Sequence, residues 1–488
     1  MKSKIQKVFV IILSLALLIV SSAGCNKNVS TLSNSNTISA TTSAISNIPS
    51  STTTNTSSIS TTSDISTSTS SLPPEPYHPP HYNPYDDFDN ANEPNMYKAA
   101  PKDAVHILMW RDWHKTEQNL INQYENLTGV KIKTTVTTEA EYKTKLISMI
   151  NENDAPDIVT FQSSDFPGII TKSLQSLNNY YFRLNSNCWN KAYMDAYKIN
   201  DLYFGVAMPS SWLCESGNYV TYYSPTFLKK CGVKETPYEL YKKNNWNWET
   251  QNEIIRKVNE NGSLGLFLQS YDSYMLSAGE DFVTYNGKQF TNKLGKVKEN
   301  NHIAKAWTEV AKLQKNKCIA KGDLDLVIKG KVGLFTATSY GLYNESGWFT
   351  NDFAKNLEAV PVAGPKGGTA YTPTKAICWG VPKKAKNTKG AAYFLRYFLD
   401  VSNYNQSSTF HTKQFETIFK TITSASTKKT VAYGSGVSNY IYKGNYSKIC
   451  DDLVAADLAN ISYVLNSRAR TVTESITRAN KDISRIKK

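Results

Sequence analysis

From Val105 onward, apolar positions recur in two rhythms that alternate along the chain. Val105 to Trp110 is a short, largely apolar run and reads as a strand. In Lys115 to Thr128, Leu120, Tyr124 and Leu127 share one helical face, and Gly129 ends the pattern. Val130, Ile132 and Val136 fall on alternate residues, a second strand. Thr138 and Glu141 have the spacing of a capping box, and Tyr142, Leu146 and Ile150 continue the helix it opens. Pro156 stops that helix before a third strand, Asp157 to Phe161. Three strands alternating with two helices argue for an α/β domain with a parallel sheet covered on both faces.

Further on, Leu202 to Met208 reads as a strand ended by Pro209, and Tyr219 to Tyr223 as an aromatic strand closed by Ser224 and Pro225. Thr226 to Cys231 is a short helix with Gly232 at its C-cap. Asn247 or Thr250 opens a helix carrying Ile254, Ile255 and Val258, and Ile303, Trp307, Val310 and Leu313 mark a longer one. The LSAGEDFV and YNGKQFTN segments between these helices read as loop. Leu357 to Val362 and Ala376 to Val381 are strands separated by a Gly/Pro loop, and Ala391 to Leu399 is a strongly apolar helix. From Val454 to Ile486 the apolar residues form one stripe at steps of three, four or seven, on one helix or two in sequence.

The first hundred residues follow another logic. Lys2, Lys4 and Lys7 precede an apolar run, Val8 to Val20, too short to cross a bilayer comfortably and suited to a signal peptide over residues 1–24. Ser21-Ser22-Ala23-Gly24-Cys25 resembles a bacterial lipobox, which makes Cys25 the expected lipidated residue. Ser22 stands where Leu is usual, so cleavage after Ala23 is the alternative. Residues 25–100 then read as lipid anchor plus a Ser/Thr- and Pro-rich tether with no apolar face to offset its ordering entropy. Its typical reach is about 45 Å. Asp86, Asp87, Asp89 and Glu93 lack the Gly and the spacing of a calcium loop, and no metal is expected there.

The 488 residues carry a formal charge of +14, with twelve Lys/Arg against five Asp/Glu between Lys420 and Lys488. On an exported chain this reads as a solvated basic surface facing an anionic envelope, and no nucleic-acid partner is expected. The six cysteines after Cys25 form no CxxC pair, and none is expected to be catalytic. HExxH, GxSxG, Walker and dinucleotide motifs are absent, and the Gly364 to Gly368 loop lacks a phosphate loop's Gly-Lys-Ser/Thr ending. No cofactor and no catalytic residue is expected.

In a parallel sheet, ligands sit beyond the C-terminal strand ends. That rule selects Arg111-Asp112-Trp113 and Gln162-Ser163-Ser164-Asp165. Planar polar groups suit sugar hydroxyls, and an aromatic ring suits the apolar face of a pyranose. Asp112, Trp113, Gln162 and Asp165 are therefore candidates, with core packing the alternative for Trp113, whereas Trp110 is expected in the core.

The order of features from Asp201 to Thr250, ending in Trp-Asn-Trp-Glu-Thr, resembles the middle of the extracellular solute-binding proteins of carbohydrate ABC importers. PDIVTFQSSDFPGIITKSLQSLNNYY is similar to that family's Pro-Asp-Ile stretch, and AVPVAGPKGG followed by AICWGVPKKAKNTKGAAYFLRYFLD to its return segment. The resemblance implies a periplasmic-binding-protein-like fold: two α/β lobes joined by a hinge near Pro209, with a cleft between them. Lobe 1 is expected over 101–208 plus 359–410, and lobe 2 over 209–358 plus 411–488. The resemblance adds Tyr340 (with Tyr343 or Trp348 beside it) as a candidate ligand residue, packing beneath the loop being the alternative, and likens LVIKGKVGLF at 326–335 to a Gly-Lys strand. Tyr223 on the aromatic strand and Trp379, which faces either the cleft or the core, are further candidates. It implies a monomer, lipid-anchored at the outer face of the cell membrane, that captures a mono- or oligosaccharide for the transmembrane subunits of an ABC permease. A surface glycoside hydrolase and a wall-binding adhesin are the alternative readings.

Overall fold

The computed structural model describes residues 100–487 apart from 114, 180, 187, 208–216, 322–324, 339–356, 400–416, 419–420, 423, 425–426 and 441–444. The leader, Cys25, the tether, Pro209, Cys214, Tyr340, Tyr343 and Trp348 lie outside the described residues.

Strands β1 (Val105–Met109), β2 (Ile132–Val136) and β3 (Ile158–Phe161) are joined by helices Lys115–Thr128 and Tyr142–Asn151, in the order their periodicity predicts. Thr138 holds the turn before the second helix, where its Oγ1 accepts the Glu141 N–H at 3.3 Å; the helix itself starts at Tyr142. Short helices Gly168–Ser173 and Lys191–Asp195 follow, and then β4 (Tyr219–Tyr223). The next three helices start at sequence-encoded caps. Ser224 caps Pro225–Lys230, a Thr236/Glu239 capping box opens Pro237–Lys242, and the Asn247 side chain accepts from Glu249 and Thr250 N–H at the head of Trp248–Glu260. Beyond them come β5 (Leu264–Leu268), helix Ser273–Ser277, the hairpin β6 (Val283–Tyr285) and β7 (Phe290–Asn292), helix His302–Lys315, β8 (Ile319–Lys321), helix Asp325–Ile328 and β9 (Val332–Thr338). β10 (Glu358–Pro361), β11 (Thr372–Thr374), β12 (Cys378–Gly380), helix Thr388–Phe398 and β13 (Lys429–Val431) lead to the C-terminal helices Tyr433–Ser438, Asn445–Ala455, Ile461–Ser467 and Ala469–Ser484.

The strands form two main sheets. The first has the order β12-β3-β1-β2, with β1 parallel to β2 and β3, and β12 antiparallel at the edge. The second has the order β10-β4-β9-β5-β8, parallel among β9, β5 and β8 and antiparallel at β4 and β10. Two side-chain anchors secure the return from the second sheet. Trp246 and Trp248 donate their indole N–H groups to the carbonyls of Pro361 and Ala363, at 2.7 and 2.8 Å. Asp157 accepts N–H groups from His106 and Asn387 through its two oxygens, which fixes the returning helix against β1.

Several sequence expectations need correction. Leu202 to Ala207 forms no strand; only isolated bridges at Leu202 and Val206 occur, and Met208 lies outside the described residues. The segment meets β12 only at the Val206–Trp379 bridge, and at Gly205 it packs so closely that an added Cβ would clash with the Phe161 ring and the Cys378 Cβ. The LSAGEDFV and YNGKQFTN segments hold part of a helix and the β6/β7 hairpin. Leu326 to Ile328 is helical, so the strand starts only at Val332. β10 pairs with β4, which puts the return to the first sheet at β12, later than residue 359. The C-terminal stripe is split among three helices; the first two pack on His302–Lys315 and the third on β7.

Candidate functional site

Four strand ends converge on one cavity. Trp110 follows β1, Gln162 follows β3, Gln269 follows β5 and Thr338 ends β9, and all four line a space of about 430 Å³ between the two sheets. Each stands at the C-terminal end of a strand that runs parallel to a neighbour, the end at which ligands sit in such sheets. The volume falls in the roughly 300–1,000 Å³ range of small-molecule sites.

Local backbone bonds hold the first-sheet wall. The Gln162 N–H donates to Asp165 Oδ2 at 2.9 Å, closing the turn Ser163–Asp165 on itself. The other oxygen, Oδ1, faces Lys143 Nζ at 2.8 Å. The Ser163 N–H donates to the Lys375 carbonyl, which also accepts the Tyr197 hydroxyl at 2.6 Å. The Tyr142 hydroxyl accepts the Thr160 N–H at 3.0 Å and pins the end of β3 to the first-lobe helix. On the second-sheet wall, Gln269 Oε1 accepts the Thr338 N–H at 2.8 Å, tying the ends of β5 and β9 together. Gly217 completes this region; it has a positive φ of 61°, and the Lys375 Cβ occupies the space a side chain there would need. Half-buried Trp110 adds an aromatic surface, with the Arg111 guanidinium 6.0 Å from its ring.

The sequence candidates separate into groups. Gln162 and Asp165 line the cavity. Asp112 is exposed and does not line it, because Arg111 turns back to make a two-pronged pair with Glu117 at 2.8 Å and bonds the Asp112 carbonyl. Trp113 donates its indole N–H to Thr134 and stacks parallel to Trp379 with ring centres 6.2 Å apart, both rings edged by Phe398. Trp379 is accordingly a core residue, 4% exposed. Tyr223 is also core. Its hydroxyl donates to Glu358, and it sits opposite Leu334, four residues along β9 from Thr338 and so about 13 Å from the cavity end. Tyr340 lies outside the described residues.

Trp110, expected in the core, is half-buried and lines the cavity instead, and Lys143, Gln269, Thr338 and Lys375, none of them a sequence candidate, line it too. The strand-end rule that found Gln162 finds Gln269 and Thr338 as well, once LGLFL and VGLFTAT are recognised as parallel strands. Trp110 reads as core because it ends a short, largely apolar stretch. Among the described residues, no group of three His, Cys, Asp or Glu is placed to hold a metal ion.

The family described as bacterial extracellular solute-binding protein matches residues 119–433. No curated protein sequence matches the chain. Among solved structures, the cyclic α-maltosyl-1,6-maltose binding protein of Arthrobacter globiformis superimposes with a TM-score of 0.59 at 15% identity, covering 78% of this chain and 100% of its own. The galacto-N-biose/lacto-N-biose I-binding protein of a Bifidobacterium longum ABC transporter, in complex with lacto-N-biose, gives 0.59 at 13% identity, with 77% and 97% coverage. An ABC substrate-binding protein of Listeria monocytogenes in complex with cycloalternan gives 0.53 at 16% identity, with 79% and 100% coverage. At such identities the likeness establishes the fold, a two-lobe periplasmic-binding-protein-like arrangement.

Proposed function

We propose, from the premise that this chain belongs to the bacterial extracellular solute-binding protein family, that it captures a carbohydrate between its lobes and delivers it to an ABC permease. The observation that carries the reading is the convergence of Trp110, Gln162, Gln269 and Thr338 from two separate sheets on one cavity. Carboxamides, a hydroxyl, the Lys143–Asp165 ion pair and an indole ring supply the donors, acceptors and apolar face that a pyranose needs. Structural neighbours whose names state sugar ligands support this class of solute.

The ligand touches both walls, so it stabilises the closed arrangement through its differential affinity for that state. The moving bodies are the regions built on the first and second sheets. Lipidation at Cys25 and the 26–100 tether hold the monomer at the outer face of the membrane, as the basic leader and lipobox-like sequence support. The protein binds and releases; it does not cleave.

The test is a thermal-shift screen of the chain from Asn26 onward against mono- and oligosaccharides, followed by calorimetry on the hits. At least one sugar is expected to raise the melting temperature and to be recovered intact. Trp110→Ala removes about 1.5–3 kcal/mol of apolar contact, hence roughly 10- to 100-fold in affinity. A panel without a single shift, or reducing ends released from a bound sugar, would overturn the proposal.

A further inference from the structure

Helix Tyr142–Asn151 has two working faces. Tyr142, Leu146 and Met149 point inward and are buried. Lys143, Ile147 and Asn151, spaced four apart, lie along the other side and line a second space of about 670 Å³. The opposite wall comes from Ile169 and Lys172 on helix Gly168–Ser173, and from Tyr440 just past helix Tyr433–Ser438. Tyr440 is held in place: its hydroxyl donates to Asp482 at 2.9 Å, and Lys172 Nζ lies 5.7 Å from its ring centre. Ile147 is 46% exposed, an apolar side chain left facing water at the rim of this groove.

The groove and the inter-sheet cavity are not independent, since Lys143, Ser164 and Asp165 belong to the walls of both. The divide between them is the Lys143 side chain, 44% exposed and anchored at Asp165 Oδ1 (2.8 Å) and the Ser164 carbonyl (3.5 Å). A saccharide chain presents apolar ring faces and hydroxyl edges in alternation. The groove offers both kinds of surface along its length, Ile147, Ile169 and Tyr440 beside Lys143, Asn151 and Lys172.

We propose that the binding site runs past the Lys143–Asp165 pair into this groove, so that the ligand is a saccharide chain of several units rather than a single sugar. The inference rests on the carbohydrate-capture reading and specifies its substrate class. One end of the chain occupies the inter-sheet cavity and the other lies along the outer face of helix Tyr142–Asn151.

Calorimetry on the chain from Asn26 onward, with malto-, cello-, xylo- and manno-oligosaccharides of one to six units, tests this. In the linkage series that binds, the longest members should bind at least about tenfold tighter than the disaccharide, the gain from burying further apolar surface in the groove. Ile147→Arg, which fills the groove from an exposed position, brings that long-to-short affinity ratio to about one, and Lys172→Ala lowers it. Tyr463→Arg, on a helix away from the groove and 74% exposed, keeps the ratio of the unaltered protein. Affinity independent of chain length, or a length gain that survives both groove substitutions, overturns the extended-chain inference while leaving saccharide capture intact. Binding of none of these sugars overturns both.

Discussion

Asp281 is enclosed by protein, with Oδ2 accepting the Gly434 N–H at 2.7 Å and Oδ1 the Phe282 N–H at 2.6 Å. Burial pushes its carboxyl from 3.8 up to about 7, the neighbouring Asp272 adds to the rise, and the N–H bonds oppose it. A folded-state value above the unfolded one means that the native protein holds the proton more tightly. Stability is therefore full below about pH 4 for this group and is lost as pH rises through about 7, by up to on the order of 4 kcal/mol. Lys429, which burial pushes down to about 8, acts in a separate window: its penalty is relieved only between about pH 8 and 10.5. The expected outcome is a melting temperature that falls between pH 5 and 7.5 in the unaltered protein and is flatter over that range in Asp281→Asn, as differential scanning calorimetry would show. An equal slope in both proteins would remove Asp281 from the account. Nothing in LSAGEDFV announced this residue, because its burial is produced by Gly434, far along the chain. Gln162 and Asp165 were legible for the opposite reason: a strand end and its turn are local features.

Helix Tyr433–Ser438 joins that buried carboxylate to the candidate site. Its first turn is bonded by Asp281, and Gly436 presses on the turn that follows Gln162. A Cβ at Gly436 would meet the carbonyl oxygens of Ser163 and Phe166 closer than real contacts allow. Gly436→Ala is accordingly expected to cost about 1–3 kcal/mol. By displacing Gln162 and Asp165 it should also weaken sugar binding; denaturant midpoints and calorimetry measure the two effects separately. Loss of stability with unchanged affinity would show that the turn holds its shape without the helix. At this scale the sequence was readable wherever a signal was local. The alternation of Val130 to Val136 and the apolar run from Ala391 produced elements where expected. Thr236-Pro237-Tyr238-Glu239 carries an equally local capping signal, but the helix it opens is only six residues long, too short to show an apolar period. Leu202 to Ala207 has the apolar content of a strand and forms none; it meets β12, distant in sequence, through the single Val206–Trp379 bridge.

For the molecule as a whole, the two-sheet arrangement was legible in the order of its elements, while the partition of strands between sheets was not. β10 and β12 are both short apolar runs, and only their partners β4 and β3 assign them to different sheets. The same is true of the site, whose second wall depends on Gln269 and Thr338 being neighbours on β5 and β9. If sugar closes the gap between these walls, small-angle scattering of the loaded chain should give a smaller radius of gyration than the empty one. Superimposable curves for a sugar that calorimetry shows to bind would mean capture without closure.

The antiparallel strand β12 bears on how the protein is made as well as on how it closes. Until Gly380 has left the ribosome, β3 has no partner on its outer side and helix Thr388–Phe398 does not yet cover β1. The nascent first sheet thus leaves an open edge through the synthesis of the entire second one, the kind of edge on which strands of other chains pair. Fragments ending near residue 208 should therefore aggregate rather than fold, and any factor that shields the growing chain would act longest on β3.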